Sequence, residues 1–590
     1  MTALTIPIQT PANIASSKVL VDGEELAQEV LVAGFYVQKE VNRIASARLL
    51  IRDGDITIED FVQSAGDLFV PGKEIELQAG YDFDEQTIFK GIIIGHNLYI
   101  AEGSQSELVL DLRDISIKMT VGRHCRYFDE DATDSDIMET ILSDYDVTPD
   151  VESTSVAHKS MVQYYVSDWD FLMHRADANG MIVLTDDGNL SVKVPDMSAS
   201  PVGTFQYGRD IISFEGGMDA REQYTGVTAR TWSYTKQEVV EVEGADPGVD
   251  PSGNITTSDL SDVIGLASYD QVHSGTVPDE ELQAWADSRL LRSRLAKVRG
   301  KLTVRGVPEI KPGDVIELAG LGDRINGLVY VSGIAHEIAP DEIWTTEITF
   351  GLSKECFAHQ YQNILEKPAS ALLPGTMGIQ QGIVTNIHED PDGEGRIRVR
   401  IPVIDPESDG VWARLSVSDG GLNDSDGPRG LHFIPEVGDE VVVAFFNDDP
   451  RNPVILGCLH SSGNPAPAEA TEDNFEKGII TRGELKLWFD DDKKVISIET
   501  PNANTLTISD DEGGILLEDE NGNKVTLNAD GITLESAKDL ILSAPSGDVK
   551  VEGVNIELAA QAQLKGEGSG GAEISSSAST VVKGSIVQIN

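Results

Sequence analysis

The most constraining feature of this chain is the alternation near its end. In ITLESAKDLILSAPSGDVKVEGVNIELAAQAQLKG, residues 532–566, apolar residues appear in short pairs: Ile532 and Leu534, Leu540 and Leu542, Val549 and Val551, Ile556 and Leu558. The pairs recur about every eight residues, with Gly, Ser, Asp or Lys between them. Strands of this kind have one oily face, and a single copy of the region holds almost nothing to cover it. Three identical copies wrapped around one axis remove the difficulty. Each burst then becomes a rung whose apolar pair points at the axis, and neighbouring chains pair the backbone edges that would otherwise invite aggregation. At roughly 4.8 Å per stacked strand, about fourteen rungs make a rod on the order of 65 Å long. A single-chain β-solenoid or a sandwich is the alternative, but it calls for longer coils or strands than these octads supply.

At 590 residues, 40% of them hydrophobic, the chain is long enough for several cores. Its 56 glycines and 6% aromatics favour strands and turns over helical bundles. The formal net charge of −54 makes it a poor partner for nucleic acid or an anionic membrane surface. Cys125, Cys356 and Cys458 are far apart and form no CxxC, so neither a thiolate zinc site nor a disulfide framework is expected. The opening MTALTIPIQTPANIASS lacks the basic start and apolar run of a signal peptide, and no run of about 18 apolar residues exists to span a bilayer. The expectation is a protein assembled in the bacterial cytoplasm without a signal peptide, with no stable membrane insertion, whose export needs a dedicated machine.

Along the chain, FVPGKEIELQAGY (residues 69–81) followed by IFKGIIIG returns later as IKPGDVIELAG (residues 310–320) followed by INGLVYVSGI. Each copy has Pro-Gly, two residues, then Ile-Glu-Leu: a turn, then a strand with one buried face. A duplicated small β-barrel follows from this. Helices are expected over residues 134–147, 167–180 and 278–296. The second opens with a capping-box-like Ser167 and Asp170, with Trp169, Leu172, Met173 and Ala176 on one face. Residues 241–262 read as an exposed flexible loop. GIVTNIHEDPDGEGRIRVRIPVI reads as two strands about an acidic turn, and the strands after it complete a small closed barrel of the OB type. The expected fold is mainly β and multidomain. A first β-barrel occupies residues 1–115, an α/β region 116–225, and a second β-barrel 226–365; the resemblance described next implies that these three form a hub. A linker at 366–380, an OB-fold at 381–460, by the same resemblance a collar, and a neck at 461–478 lead to a trimeric β-helix at 479–590, which it implies is a spike shaft.

Within the OB region lies a long pattern: Trp412-x-Arg414, then Phe433-x-Pro435-Glu436-x-Gly438-Asp439-Glu440-Val441, then Asp449-Pro450-x-x-Pro453-x-x-x-Gly457. It resembles the signature of VgrG and phage baseplate-spike proteins. SDWDFLMHRADANGMIVLTDDGNLSV resembles the tail-hub part of the same proteins, and VTLNADGITLESAKDLILSA with the closing VVKGSIVQIN resembles their C-terminal triple β-helix. The resemblance implies a homotrimer in which two related barrels per chain place six around the axis and adapt a sixfold tube to a threefold spike. It implies inner-tube and baseplate proteins as partners at the N-terminal hub. At the C-terminal end it implies a PAAR-like tip protein, with Ile586, Val587, Ile589 and Asn590 as its contact, and effector cargo as a passenger. The implied function is the central spike of a contractile injection machine, pushed through the target envelope when the sheath contracts. Type VI secretion, an extracellular phage-tail-like particle and a phage all remain open. This chain departs from some relatives. About 20 residues separate His460 from the first shaft strand, too few for a lysozyme domain, and no histidine follows His460, so a His-x-His iron tip is not expected.

Catalysis has little support in the sequence. No HExxH, GxSxG or P-loop occurs. His124 beside Cys125 is the nearest thing to a reactive pair, and adjacent side chains point apart. The carboxylates of Asp490 to Asp492 and Glu518 to Glu520 suit turns; a calcium site at Asp490 to Asp492 is the alternative. No catalytic residue, cofactor or metal ligand is assigned. OB barrels often hold single-stranded nucleic acid in basic grooves, but residues 377–460 carry 15 acidic and six basic side chains. Arg396, Arg398 and Arg400 alternate along one strand. They either meet acids of a neighbouring chain or offset local acidity on an exposed face. The competing functional reading is a trimeric β-helical glycan-degrading tail enzyme. The last stretch has Trp488 and Phe489 and then no aromatic, which leaves a sugar cleft without stacking platforms.

Overall fold

A computed structural model describes residues 15–100, 106–249, 251–340 and 342–589. It divides into two compact units, Met1–Met377 with Asn447–Asp449, and Gly378–Phe446 with Pro450–Asn590. The architecture is mainly β, as the alternation and the glycine content require.

In the first unit the duplicated Pro-Gly motifs occupy equivalent places. Gly72 and Gly313 both take left-handed backbone, φ 99° and 97°, a conformation glycine adopts without strain. Each closes the same pair of hydrogen bonds. Gly72 N donates to Ile93 O and Ile93 N to Lys73 O; Gly313 N donates to Val331 O and Val331 N to Asp314 O. The following strands, Glu74–Tyr81 and Val315–Ala319, bury Ile75 and Leu77 in one core and Ile316 and Leu318 in another. The expected two hub barrels take the form of two curled halves sharing one thirteen-stranded sheet. The strand Gly327–Ile338 joins them, pairing with Val32–Glu40 from Gly333 opposite Glu40 to Ile338 opposite Phe35. Ala15 to Ser17, with Val32, Gly34 and Phe35, line a cavity of about 380 Å³ that Ile338, Ala339 and Trp344 of the other half close.

The α/β region packs on this sheet around its own core. Its second helix is Asp168–Ala178; Ser167 caps it by accepting from Asp170 N at 3.2 Å, and Trp169, Leu172, Met173 and Ala176 are all buried. Its first helix, Asp134–Leu142, ends earlier than the periodicity suggests. Tyr145, on the expected last turn, instead donates to the buried Asp168 at 2.7 Å. The hairpin turn Asp186 and Asp187 pins the region to both sheet halves. Asp186 pairs with Lys39 of the first half and, at 2.5 Å, with Lys311 of the second, while Asp187 receives Lys39 at 2.9 Å.

Residues 241–262 are not the open loop expected from their polar, glycine-rich composition. They include the end of the strand Glu238–Glu243 and most of the helix Thr257–Ile264. Between these, Ser252 is buried, with Ser252 N donating to Leu328 O and Gly253 N to Asn326 O. Thr256 and Asp259 form a full capping box that the polar composition concealed. The helix Asp279–Leu295 packs against a three-stranded sheet built from Val227–Ser233, Glu238–Glu243 and Tyr269–His273.

In the second unit, Gln380–Asn386, Ile397–Arg400, Val411–Leu415, Pro453–Cys458 and Glu440–Phe445 form a closed five-stranded barrel, in that spatial order. Its core holds Val384, Val399, Ala413, Val441, Val443 and Ile455. A seven-stranded antiparallel meander then runs from Glu476–Ile480 to Gly531–Glu535, in sequence order.

Candidate assembly interface

The meander is built on a repeat of 19 residues. Thr481, Thr500 and Asp519 recur at that interval, each accepting a backbone N–H four residues on: Leu485 at 3.2 Å, Asn504 at 3.3 Å and Asn523 at 2.8 Å. At the other end of the strands Asp490, Ser509 and Asn528 recur with the same spacing and accept from Asp492 N, Glu512 N and Asp530 N. Side-chain acceptors therefore close each tight turn. Hydrogen bonds from the Asn523 side chain and the turn backbone hold the Asp519 carboxyl down at about 2.

Register then decides which side chains share a face. Residues directly opposite across a ladder lie on the same side, as do residues two apart along a strand. One row runs Ile479, Leu487, Ile498, Leu506, Leu517, Val525, Leu534. The next runs Lys477, Phe489, Ile496, Ile508, Ile515, Leu527, Ile532. Of these fourteen positions on one face, thirteen are apolar. The other face carries Trp488, Ser497, Thr507, Leu516, Thr526 and Thr533 in its central row, flanked by Lys486, Glu499, Glu518, Lys524 and Glu535. Among the described residues nothing covers the apolar face: none of its residues belongs to a core cluster, and Ile532 remains 71% exposed. A groove of about 520 Å³ runs along it, lined by Ile498, Leu506, Leu517, Val525, Leu534 and Leu540.

Ile532 and Leu534, named from the sequence as axial residues, sit at the end of these two rows. The octads from Leu540 onward form no strand within one chain, and Leu542, Val549, Val551, Ile556 and Leu558 are exposed, Leu558 by 71%. The expectation that neighbouring chains supply the backbone pairing needs correcting before residue 536. There the chain pairs with itself in hairpins, and only its apolar face is left over. The eleven apolar positions of this face before Ile532 do not follow the eight-residue spacing of the later bursts. The 19-residue hairpin repeat, with its Thr, Asp, Ser and Asn turn closers, was the signal that could have found them. At the far end Ile586, Val587 and Ile589 are exposed; Asn590 lies outside the described residues.

The OB motif residues have identifiable places. Trp412 and Arg414 lie on Val411–Leu415, and Trp412 sits opposite Arg398, whose guanidinium lies 5.9 Å from the indole centroid. Pro435 to Asp439 form the turn into Glu440–Phe445. There Asp439 accepts from Glu436 N at 2.8 Å, and Gly438, at φ 101°, donates to Val384 O. Phe433 stays 57% exposed. Asp449 is buried, and Pro450 precedes the strand Pro453–Cys458 that carries Gly457. Of the three alternating arginines, Arg396 is held by Asp390 and Asp392, and Arg398 reaches Asp409 at 3.2 Å. Its hydrogen bonds to Arg396 hold the Asp390 carboxyl well below the usual range. Two of the three thus serve their own chain, and buried Arg400 Nε has no partner.

Elsewhere, His124 lies 3.8 Å from Asp168, a carboxylate already taken up by Arg126, Tyr145 and Gln163, and Cys125 accepts from Tyr165 N. Asp490 to Asp492 form a hairpin turn. Among the described residues no group of three His, Cys, Asp or Glu is arranged for a metal ion, and no helix is long and apolar enough to cross a membrane.

Three family models match separate stretches of the chain. Residues 11–340 match the family model described as the Alg8 N-terminal domain. Residues 380–460 match the type VI secretion system/phage-baseplate injector OB domain, and residues 495–590 the phage baseplate V C-terminal trimerisation domain. The type VI secretion system spike protein VgrG4b of Pseudomonas aeruginosa is 26% identical over 269 residues, 42% of this chain and 31% of the relative. VgrG1a of the same organism is 25% identical over 222 residues, 35% of this chain and 33% of the relative. The matches thus span about a third of the length of these curated relatives. Among solved structures, the E. coli c3393 protein, a type VI secretion component, aligns over 75% of this chain and all of its own, with 15% identity and a TM-score of 0.37.

Proposed function

Because this chain belongs to the Alg8 N-terminal domain family and is a VgrG-type spike protein, we propose that three copies form the non-catalytic central spike of a contractile injection machine. In this reading the first unit is the hub that meets inner-tube and baseplate proteins, and the OB barrel is the collar. The meander and the tail after it form the shaft, whose end receives a PAAR-like tip protein. The particle is assembled in the cytoplasm and delivered outside the cell. Force comes from the sheath, and the shaft transmits it.

The carrying observation is the uncovered apolar face of the meander. Three such sheets, faces inward, form a prism with thirteen apolar side chains per chain at its centre and the Thr, Lys and Glu face in water. Fully burying a Val, Leu or Ile side chain contributes about 1.5–3 kcal/mol, so a few dozen of them far outweigh the entropy of association. A rod with such an interior is stiff, because no strand can leave without exposing its row.

The test is the mass in solution. Light scattering of the full chain is expected at three times 63.7 kDa. Leu506→Asp with Leu517→Asp, on the apolar face, is expected to give single chains, whereas Thr507→Asp with Thr526→Asp, on the other face of the same strands, leaves the trimer intact. Single chains from the unaltered protein, or a trimer that survives the first pair, would overturn the reading. The non-catalytic part is tested by turnover of cell-wall and capsular glycans, expected at background.

A further inference from the structure

Two features of the hub unit are left without cover among the described residues. The first is the turn between the strands Ser46–Arg52 and Glu74–Tyr81. Asp55 and Asp60 face each other across it, with Asp55 N donating to Asp60 O at 2.9 Å, and Asp55 also accepts from Thr57 N at 2.7 Å. At its base Asp53 accepts from the backbone N–H groups of Gly54, Gln63 and Ser64. The Ser64 hydroxyl lies 2.8 Å from His96 Nε2, and His96 Nδ1 lies 2.9 Å from Phe69 O. The turn is therefore stiff, yet its tip faces outward: Ile56 is 94% exposed and Ile58 58%, between the carboxylates of Asp55, Glu59 and Asp60.

The second feature is a cavity of about 730 Å³ at the junction of the two sheet halves. Val41, Phe350 and Phe357 line its apolar wall, and four cations, Arg43, Arg292, Arg299 and Lys301, outnumber the two carboxylates, Glu40 and Glu215, around it. Arg43 pairs with Glu40, Lys301 with Glu347 and Arg292 with Asp177. Arg299 makes no ion pair among the described residues. Gly216 and Gly300 form part of the floor because a side chain there would strike Phe214 and the Glu215 carbonyl. In a chain of net charge −54, a cavity with an apolar wall and a rim where cations outnumber carboxylates is an unusual surface.

We propose that the Asp55–Asp60 turn of one copy plugs the junction cavity of the next copy in the hub. The two surfaces complement each other. Two isoleucines replace water against the apolar wall, and the flanking carboxylates meet Arg299, a charge-assisted contact that fixes register. The stiff turn loses little freedom on docking. The contact is head-to-tail, each copy giving a plug and receiving one, and three such contacts close a ring. The inference rests on the trimeric reading above.

The test is cross-linking of the full-length trimer. Gly217 borders the cavity, and a side chain added there meets nothing within 4 Å. With Cys125, Cys356 and Cys458 first replaced by Ser, Ile56→Cys combined with Gly217→Cys is expected to link most chains into covalent dimers and trimers under mild oxidation, while either substitution alone leaves them as monomers on a non-reducing gel. Ile58→Cys with Ser353→Cys provides a second pair on the same two surfaces. If light scattering shows a trimer and neither pair links, the plug is wrong and the trimer stands. If light scattering shows single chains, the trimeric reading fails first.

Discussion

His336 lies on the strand that joins the two halves of the hub, between Val37 and Thr346, with 1% of its surface exposed. Thr346 Oγ1 accepts from Val307 N and lies 2.9 Å from His336 Nδ1. Burial, helped by the positive charge of Lys39, depresses its pKa from 6.5 to about 3. In the unfolded chain the same ring takes a proton below about 6.5. Between those values the unfolded state holds more protons, so stability falls as pH falls, by up to roughly 1.4 kcal/mol per pH unit from this group. We expect the thermal midpoint of the hub to drop between pH 6.5 and 4, and His336→Gln to flatten that part of the curve. An unchanged slope would place the acid sensitivity elsewhere. None of this was visible in the sequence, where a lone histidine on an alternating strand reads as a surface residue. The OB signature was the opposite case. Trp412, Gly438 and Pro453 were named from a resemblance in spacing, and they fall on a barrel strand, a turn and a strand start.

Among the elements, the duplicated Pro-Gly turns show how far a short motif carries. Their hydrogen bonds coincide, and so do their left-handed glycines. Their surroundings do not. A side chain at Gly72 meets nothing within 4 Å, whereas at Gly313 it would press on Leu184 at 3.0 Å. Gly72→Ala is therefore expected to cost the backbone strain alone, about 1–2 kcal/mol. Gly313→Ala should cost more, because Leu184 must also move. The readout is the midpoint of hub unfolding for each variant, and equal losses would show that Leu184 yields freely. The same logic explains what the sequence concealed. Helix caps such as Ser167 could be read because they are local, but the Thr256–Asp259 box sat inside a stretch whose composition suggested a loop. The meander strands were legible as strands, but their partners were not. Apolar alternation fixes which residues share a face; it does not say whether the backbone bonds come from the same chain or another. Only the 19-residue spacing of turn-closing side chains assigns them to the same chain, up to residue 535.

At the scale of the whole molecule, two opposing quantities set how the spike is assembled. The meander and tail need other copies to acquire an interior, yet each copy carries a net charge of −54, and a trimer triples it. Like charges on approaching chains repel over about a Debye length, roughly 10 Å at 0.1 M salt and 3 Å at 1 M. The apolar faces attract only at contact. Association is therefore expected to be limited by charge and held by burial. On dilution from denaturant, the rate at which trimer appears by light scattering should rise by about an order of magnitude between 0.1 M and 1 M sodium chloride, with little change in how fast the formed trimer dissociates. The tail adds a second reading of the same balance. Residues 536–589 form no strand of their own, so their order depends on the assembled state. A protease should spare them in the trimer and remove them from the Leu506→Asp, Leu517→Asp chain while leaving the hub intact. Replacing Val549, Val551, Ile556 and Leu558 with Ser should expose the tail but leave the meander to hold three chains together. A rate independent of salt would mean that the acidic surface lies away from the approaching faces; a resistant tail in the single chain would mean that it has an interior of its own.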